Sequence, residues 1–212
     1  MPIIKPASEM LRDSDLLRAA PVQARSNLRL AALLDAAATL IQRHGYEELT
    51  TAAVAKQAGA SIGTVYRYFE DRIVLLKALA TRNFERTVIA FRSVFTEAKP
   101  GTVSEAFDVL FDVYLDLFRS EPGYRSLRMG DVLDIRPLET ETASRRSCEM
   151  LAARFEVDFG VKANEQNVQA LEAGFVTMDA LLARAFSASE KGDPAFIDAA
   201  RAAGKSAISA LR

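Results

Sequence analysis

The sequence is poor in the residues that catalytic and metal-binding sites use most. It has one cysteine, Cys148, and one histidine, His44, in 212 residues. A single cysteine excludes an internal disulfide, and the pair is too small for a zinc site of histidine and cysteine ligands. We therefore assign no catalytic residue, no metal and no cofactor. Cys148 is expected to be a packed core residue, because the chain has no second cysteine to resolve an oxidised thiol.

Long uncharged stretches are also missing. Charged residues interrupt every apolar run, so none reaches the roughly 18–20 residues that span a bilayer. The first fifteen residues carry charges early and have no apolar centre, which argues against a secretory signal. We expect a cytoplasmic protein without a membrane partner.

The chain as a whole has almost no excess of charge of either sign, but the charge is unevenly distributed along the sequence. The formal net charge is −1, from 27 basic and 28 acidic residues. Residues 1–90 hold 12 basic and 9 acidic side chains, and the remainder holds 15 and 19. A balance this close to neutral excludes non-specific coating of nucleic acid, so any DNA site must be local to the mildly basic N-terminal part.

Strand-like alternation is absent, and apolar residues recur at spacings of three and four, which predicts an all-α chain of about nine helices. Residues 1–24 are expected to form a flexible arm. Arg12 and Arg18 of the arm, and Arg25 directly after it, could add contacts to DNA, or Arg12 and Arg18 could be solvated. The expected helices cover 25–43, 52–58, 62–68, a long helix from Asp71 towards Pro100, 102–119, 122–132, 138–159, 163–188 and 193–211.

Glycines and capping residues mark the boundaries of the early helices. Gly45 and Gly59 suit the left-handed position after a helix end. Thr50 or Thr51 can cap the second helix, and Ser61 and Asp71 can cap the third and the fourth. His44 would lie in the last turn of the first helix, where a cation favours the helix dipole.

The second and third helices have the pattern of a helix-turn-helix. Ala55 is small where two helices must cross, Gly59 turns the chain, and Val65 lies where the third helix packs back. Such a motif projects its second helix into the major groove. On this interpretation Gly63, Thr64 and Arg67 face the groove, whereas Ser61, Tyr66 and Tyr68 reach sugar-phosphate oxygens.

The run from Leu30 to Leu79 resembles the DNA-binding domain of the TetR family of transcriptional regulators. The resemblance covers roughly a quarter of the chain. Its matching features are His44-Gly45-Tyr46, Leu49-Thr50-Thr51, Val54-Ala55, Ala58-Gly59, the string Gly63-Thr64-Val65-Tyr66-Arg67-Tyr68-Phe69, Asp71-Arg72 and Leu75-Leu76.

The resemblance implies a DNA-binding domain over residues 25–71 and a ligand-binding and dimerisation domain over 72–212. It implies a homodimer on a palindromic operator, most often a repressor, released by a small-molecule effector. The effector would shift the fourth helix and change the distance between the two recognition helices, which must be about 34 Å.

The resemblance also implies roles for single residues. Tyr66 and Tyr68 match phosphate-contacting tyrosines of the family, and Thr51 matches a backbone contact at the start of the second helix. Arg72 matches a basic residue at the start of the fourth helix, where a phosphate is favoured. Arg67 stands where many members have Tyr or His, and it could instead bind a guanine edge.

The rest of the chain is rich in aromatic residues, since 11 of its 12 phenylalanines lie from Phe84 onward. Most of these must be core, but a subset could line a cavity for an apolar or aromatic effector. Arg125 and Arg128 could pair with an acidic ligand or form solvated ion pairs. The candidate pocket residues are Phe84, Val88, Phe91, Phe107, Phe111, Tyr114, Tyr124, Met129, Met150, Phe155, Phe175 and Met178.

The last two helices carry an apolar stripe that is either core or a dimer seam, and the resemblance favours the seam. The candidate interface residues are Val168, Leu171, Phe175, Leu182, Phe186, Ile197, Ala200 and Ile208.

A different class of function stays open, namely a helical small-molecule-binding module or an enzyme that does not use its helix-turn-helix. It would need a convergent polar cluster in the C-terminal part. The candidates are Glu139, Glu141, Glu149, Arg145 and Arg146.

Overall fold

The computed structural model describes residues 24–127 and 143–212, and in this part of the chain it contains eight α-helices and no strand. The predicted all-α class is confirmed. The arm residues Arg12 and Arg18 lie outside the described residues, as do Arg128, Met129, Glu139 and Glu141. The helices are α1 (Ala24–His44), α2 (Thr51–Gln57), α3 (Ile62–Tyr68), α4 (Arg72–Glu97), α5 (Val103–Ser120), α6 (Ala143–Phe159), α7 (Glu165–Ala185) and α8 (Pro194–Ser209).

The caps follow the predicted pattern. Thr50, rather than Thr51, caps α2, and its hydroxyl accepts from the amide of Ala53 at 3.1 Å. Ser61 caps α3, and an Asp71 carboxylate oxygen accepts from the amide of Val74 at 2.8 Å at the start of α4. These side chains satisfy amides that a helix start leaves without an intrahelical partner.

The helix expected over 122–132 is not formed in its described part, because residues 121–127 adopt turns and bends. Gly123 has φ +71°, and a Cβ at this position would lie 2.9 Å from the carbonyl oxygen of Ala38 in α1. Glycine is therefore required here both for the backbone conformation and for close packing. The Pro122-Gly123 pair makes a turn that seats the segment on α1.

The chain divides into two compact units, the first comprising residues up to Arg86 with a segment from Pro122, and the second Thr87–Glu121 with the helices from α6 onward. Helix α4 supplies residues to both. The core of the first unit includes Leu33, Val54, Val65, Leu76 and Leu127.

In the second unit Phe111, Phe118 and Phe155 are almost fully buried. Arg201 of α8 is tied to α5 through Asp108, at 3.1 Å, and through Asp112. The domain boundary expected between residues 71 and 72 stays a prediction. Among the described helices, none combines the length and apolar character needed to cross a membrane.

Candidate nucleic-acid interface

Helices α2 and α3 pack as a helix-turn-helix. Val54 and Ala55 of α2 and Val65 of α3 are buried. Gly59 has φ +61°, and the amide of Ala60 donates to the carbonyl of Ala55 at 2.9 Å, which closes the turn between the helices. The apolar sides of both helices are thereby used in the core, and the other side of α3 is left to the solvent.

The solvent-facing side of α3 holds most of the residues predicted to contact DNA. Ser61, Gly63, Tyr66 and Arg67 are exposed, and Thr64 is half-buried. The hydroxyl of Ser61 accepts from the amide of Thr64 at 3.2 Å and lies 2.9 Å from its hydroxyl. The cap thus fixes the first turn of α3, the part of a recognition helix that contacts base edges.

Thr51 and Tyr66 lie together, although 15 residues separate them in the sequence. The hydroxyl of Thr51 at the start of α2 donates to the hydroxyl oxygen of Tyr66 in α3 at 3.3 Å. Tyr66 is 42% exposed. The two hydroxyls therefore lie side by side on the surface, as we expect of two side chains that contact the same stretch of DNA backbone.

Gly63 is not required by the protein itself. Its φ is not positive, and an added Cβ would meet only the hydroxyl oxygen of Ser61, at 3.8 Å. A glycine in a helix interior costs about 0.5–1 kcal/mol relative to alanine. Nothing within the described chain explains this cost, and the predicted close approach of DNA at Gly63 stays a prediction.

Two residues expected to contact phosphate make contacts inside the protein. Tyr68 is 4% exposed, and its hydroxyl donates to the carbonyl of Ser26 in α1 at 3.4 Å. Tyr68 is thus a core residue next to Phe69, and its predicted contact to phosphate stays a prediction. Arg72 is half-buried and donates to the carbonyl of Tyr46 at 2.8 Å, so it connects the start of α4 to the turn after α1.

Ile62, in the first turn of α3, is 47% exposed and was not among the residues predicted to contact DNA. Apolar side chains in a major groove contact the methyl group of thymine. The available signal was an isoleucine directly after a capping serine, on the same side of the helix as Tyr66.

The aromatic residues of the second unit are packed against one another. Tyr114 is at the centre, with ring centroids 6.1 Å from Phe91, 5.3 Å from Phe118 and 5.5 Å from Phe175. Its hydroxyl donates to a carboxylate oxygen of Asp179 at 2.6 Å. Edge-to-face and tilted contacts at these distances are typical of stable aromatic clusters.

The predicted pocket residues are almost all interior, but they are divided between the two units. Phe84 and Tyr124 belong to the first unit, and Met129 lies outside the described residues. Val88, Phe107, Phe111, Tyr114, Phe155 and Met178 are buried in the second unit, and Phe91, Met150 and Phe175 are half-buried. Burial alone does not distinguish a cavity wall from filled core, so their role in binding an effector stays a prediction.

Most of the predicted dimer seam is buried within the single chain. Val168, Leu171, Leu182, Phe186 and Ala200 are at most 6% exposed. They belong to the core of the second unit and have little area left to lose on pairing, and their assignment to a dimer interface stays a prediction. Phe175, Ile197 and Ile208 stay partly accessible. The exposed sides of the last two helices carry small and apolar residues instead, namely Ala173, Val176, Thr177 and Ala180 of α7 and Ala195, Ala199, Ala202 and Ser206 of α8.

The groups considered for catalysis have structural roles where they are described. Arg145 donates to Glu149 at 2.8 Å and to Glu165 of α7 at 2.6 Å, and so connects α6 to α7. Cys148 is 3% exposed, and burial raises the pKa of its thiol to about 12. The reactive thiolate is therefore disfavoured at neutral pH, in agreement with the predicted packed cysteine.

These observations define an all-helical protein with a helix-turn-helix in its first unit and a second unit built from longer helices. The family model described as bacterial regulatory proteins of the tetR family matches residues 33–79. The model described as the tetracyclin repressor-like C-terminal domain matches residues 101–210, about half of the chain. The chain belongs to the TetR family.

Known relatives match over part of the chain. The transcriptional repressor KstR of Rhodococcus jostii is 36% identical over 80 residues, which are 38% of this chain and 35% of KstR. The nucleoid occlusion factor SlmA of Haemophilus influenzae is 30% identical over 94 residues, 44% of this chain and 42% of SlmA. The matches thus span roughly two fifths or less of these relatives.

The similarity to solved structures extends over most of the chain. A TetR-family transcriptional regulator from Streptomyces coelicolor superimposes with a TM-score of 0.72 and 29% identity, and the match covers 87% of this chain and 99% of the other. The fatty acid degradation regulator FadR of Bacillus halodurans shares the fold, with a TM-score of 0.65 and 19% identity.

Proposed function

We propose that the protein is a transcriptional repressor that binds a palindromic DNA operator as a homodimer and is released by a small-molecule effector. The observation that carries the proposal is the solvent-facing side of α3. It combines a capped first turn, an unoccupied approach at Gly63 and exposed Ile62, Tyr66 and Arg67. Because the target is chromosomal DNA, the protein would act in the cytoplasm.

The proposed division of labour on DNA follows from the positions of the side chains. Arg67, Thr64 and Ile62 are on the solvent-facing side of α3, so we expect them to contact base edges and to choose the sequence. Thr51, Ser61 and Tyr66 would bind the sugar-phosphate backbone and fix the register. Arg72 could add a charge at the start of α4, in addition to its hydrogen bond to Tyr46.

Repression is favoured over activation by the printed names of relatives, since KstR proteins of three organisms are transcriptional repressors. The homodimer is supported by the exposed small and apolar residues of α7 and α8, which permit close helix approach. An apolar or aromatic effector is supported by the aromatic interior of the second unit. No described polar cluster favours an enzyme.

The proposal is tested by selecting bound fragments of genomic DNA with the purified protein at near-physiological salt. We expect a two-fold symmetric motif whose half-sites lie about one helical turn apart, roughly 34 Å. Failure to enrich any sequence, both alone and with a metabolite extract from the same cells, would contradict the proposal and favour the binding module without a DNA target.

A further inference from the structure

Helix α4 contains a run of buried polar residues where an ordinary amphipathic helix would be apolar. Arg82, Asn83, Glu85 and Thr87 are between 0% and 6% exposed. Arg82 donates to a carboxylate oxygen of Asp35 at 2.6 Å, and the side-chain amide of Asn83 donates to the carbonyl of Leu127 at 2.7 Å. Burial of such groups costs free energy unless each finds a partner.

Glu85 differs from its neighbours. It is 1% exposed, both carboxylate oxygens are enclosed, and no donor in the described part of the chain is within hydrogen-bond reach of either. Two arginines flank it in the helix, but the contacts of Arg82 and Arg86 to Asp35 are 2.6 Å and 3.8 Å. The Asp35 side chain is 61% exposed. The exposed carboxylate of Asp35 is thus paired with both arginines, whereas the buried carboxylate of Glu85 has no cationic partner in the described part of the chain.

An enclosed carboxylate without a donor is unfavourable in its charged form. Burial raises the pKa of Glu85 from 4.5 to about 7, so the group is half protonated in neutral solution. Protonation removes the charge but still leaves oxygen lone pairs unfilled. A donor brought by a bound molecule would satisfy them, and a cationic donor would also restore the ionised form.

We propose that Glu85 is the polar anchor of the effector, and that the effector is an apolar small molecule carrying one protonated nitrogen. The inference rests on the proposed function, since it names the chemical class of the releasing ligand. A charge-assisted hydrogen bond from the nitrogen supplies Glu85 with the cationic donor that Arg82 and Arg86 do not provide. The apolar remainder suits the residues before Glu85 in α4, where Ala80 and Phe84 are buried.

The position of Glu85 also connects such a ligand to DNA binding. The Arg82 and Arg86 contacts to Asp35 join α4 to α1, and the Arg72 contact to Tyr46 joins the start of α4 to the turn after α1. A second cation held within one helical turn of these arginines repels them. The repulsion weakens the contacts that hold α4 against the DNA-binding helices, and operator affinity falls.

The test compares three probes of one shape: 4-phenylbutylamine, 4-phenylbutanol and 4-phenylbutyrate. Calorimetry with the full chain at pH 8 should show the amine binding at least tenfold more tightly than the alcohol, and the acid not binding. The amine affinity should fall about tenfold from pH 8 to pH 6, because the anchor must then lose its own proton to bind the cation. The alcohol affinity should not change.

Glu85→Gln keeps the size of the side chain and removes the negative charge, so it should abolish the preference for the amine and leave alcohol binding. Glu97→Gln, at the exposed end of the same helix, is the matched control and should keep the preference. With the selected operator, the amine should release the unaltered protein and the Glu97→Gln variant but not Glu85→Gln.

Three results would overturn the inference: an amine that binds no more tightly than the alcohol, an amine affinity unchanged in Glu85→Gln, or a Glu85 carboxyl that titrates near 4.5 by carbon NMR in the ligand-free protein. The last would show that a cation of the chain already pairs with it. Calorimetry and NMR need no DNA, so failure of the operator selection contradicts the proposed function separately from this result.

Discussion

Gly63 shows that the space and the backbone conformation around a glycine indicate whether the fold requires it. The described chain leaves room for a Cβ there, whereas Gly123 is held by a positive φ and by the backbone of Ala38. The sequence marks both simply as glycines. The structure distinguishes a glycine needed for folding from one that the described chain does not require.

Gly63→Ala should fold at least as stably as the unaltered protein and bind the operator about tenfold more weakly, because the added methyl group would lie between α3 and the DNA. The gain in stability should be up to about 1 kcal/mol. Thermal unfolding and fluorescence anisotropy with labelled operator measure the two effects.

Gly59→Ala is the contrasting variant, since its φ of +61° strains any other residue and should lower stability instead. Unchanged operator affinity in Gly63→Ala would count against close approach of DNA at this position.

The raised pKa of Glu85 makes stability depend on pH in a defined direction. The folded state binds the proton more tightly than the unfolded state, so the contribution of this group is present below about pH 4.5 and is lost as the pH rises through about 7. Glu85→Gln has no such loss. The free energy of unfolding of Glu85→Gln should exceed that of the unaltered protein by less than about 1 kcal/mol at pH 5 and by about 3 kcal/mol at pH 8.

Urea unfolding at the two pH values measures this difference, with Glu97→Gln as the control for loss of one surface charge. An advantage of equal size at both pH values would mean that burial does not shift the titration of Glu85.

The helices themselves were largely predictable, because capping residues and helical spacing act locally. Thr50, Ser61 and Asp71 accept backbone amides at the starts of α2, α3 and α4, as their sequence positions indicate. What local signals did not reveal is which side of each short helix faces inward. Tyr66 and Tyr68 are two residues apart on α3, and only packing against α1 made one exposed and the other buried.

Substitutions on α3 should divide into two kinds. Arg67→Ala should relax the preference at one base pair of each half-site by about 1–3 kcal/mol, because a base-edge contact is lost. Tyr66→Phe should weaken binding by the same factor for every operator sequence, because only a contact to the DNA backbone is lost. Binding to a panel of single-base operator variants measures both effects, and an equal loss on every sequence for both variants would refute the division.

The contact between α1 and α4 should contribute measurably to stability. Arg82 has a side chain only 8% exposed, and Asp35 is the partner at 2.6 Å. Asp35→Ala should destabilise the protein by about 1–3 kcal/mol, because a buried guanidinium group loses a charged acceptor.

Asp116→Ala is the control, since its pair with Arg119 is 3.7 Å apart with both side chains largely exposed. It should cost less than about 1 kcal/mol. Equal losses in the two variants, measured by denaturant unfolding, would contradict a special role for the α1–α4 contact.

The proposed regulator binds its operator as two copies, and the exposed residues of the single chain suggest where they would meet. Val176 is 52% exposed in α7 and lies among small residues, whereas Val157 is 81% exposed in α6. We expect the protein to be a dimer by light scattering after size exclusion. Val176→Glu should be a monomer with weakened operator binding, and Val157→Glu should stay a dimer. A dimeric Val176→Glu variant would exclude this surface as the interface.

The sequence by itself determined the all-helical class, the positions of the caps, and the similarity of the first unit to the TetR family. All of these depend on neighbouring residues or on fixed spacings along one segment. The residues that bind the effector or form the dimer interface were harder to predict from the sequence, since they follow no motif of comparable length.

Only the tertiary structure decided the environment of individual side chains. It buried Tyr68, placed five predicted interface residues in the core, turned Arg82 and Arg86 towards Asp35, and enclosed Glu85 without a donor. Burial and pairing depend on residues that are distant in the chain, such as Asp35 and Arg82, which are 47 positions apart in the sequence. A periodic pattern states which residues share a helix face, but the element packed against that face decides what each of them does.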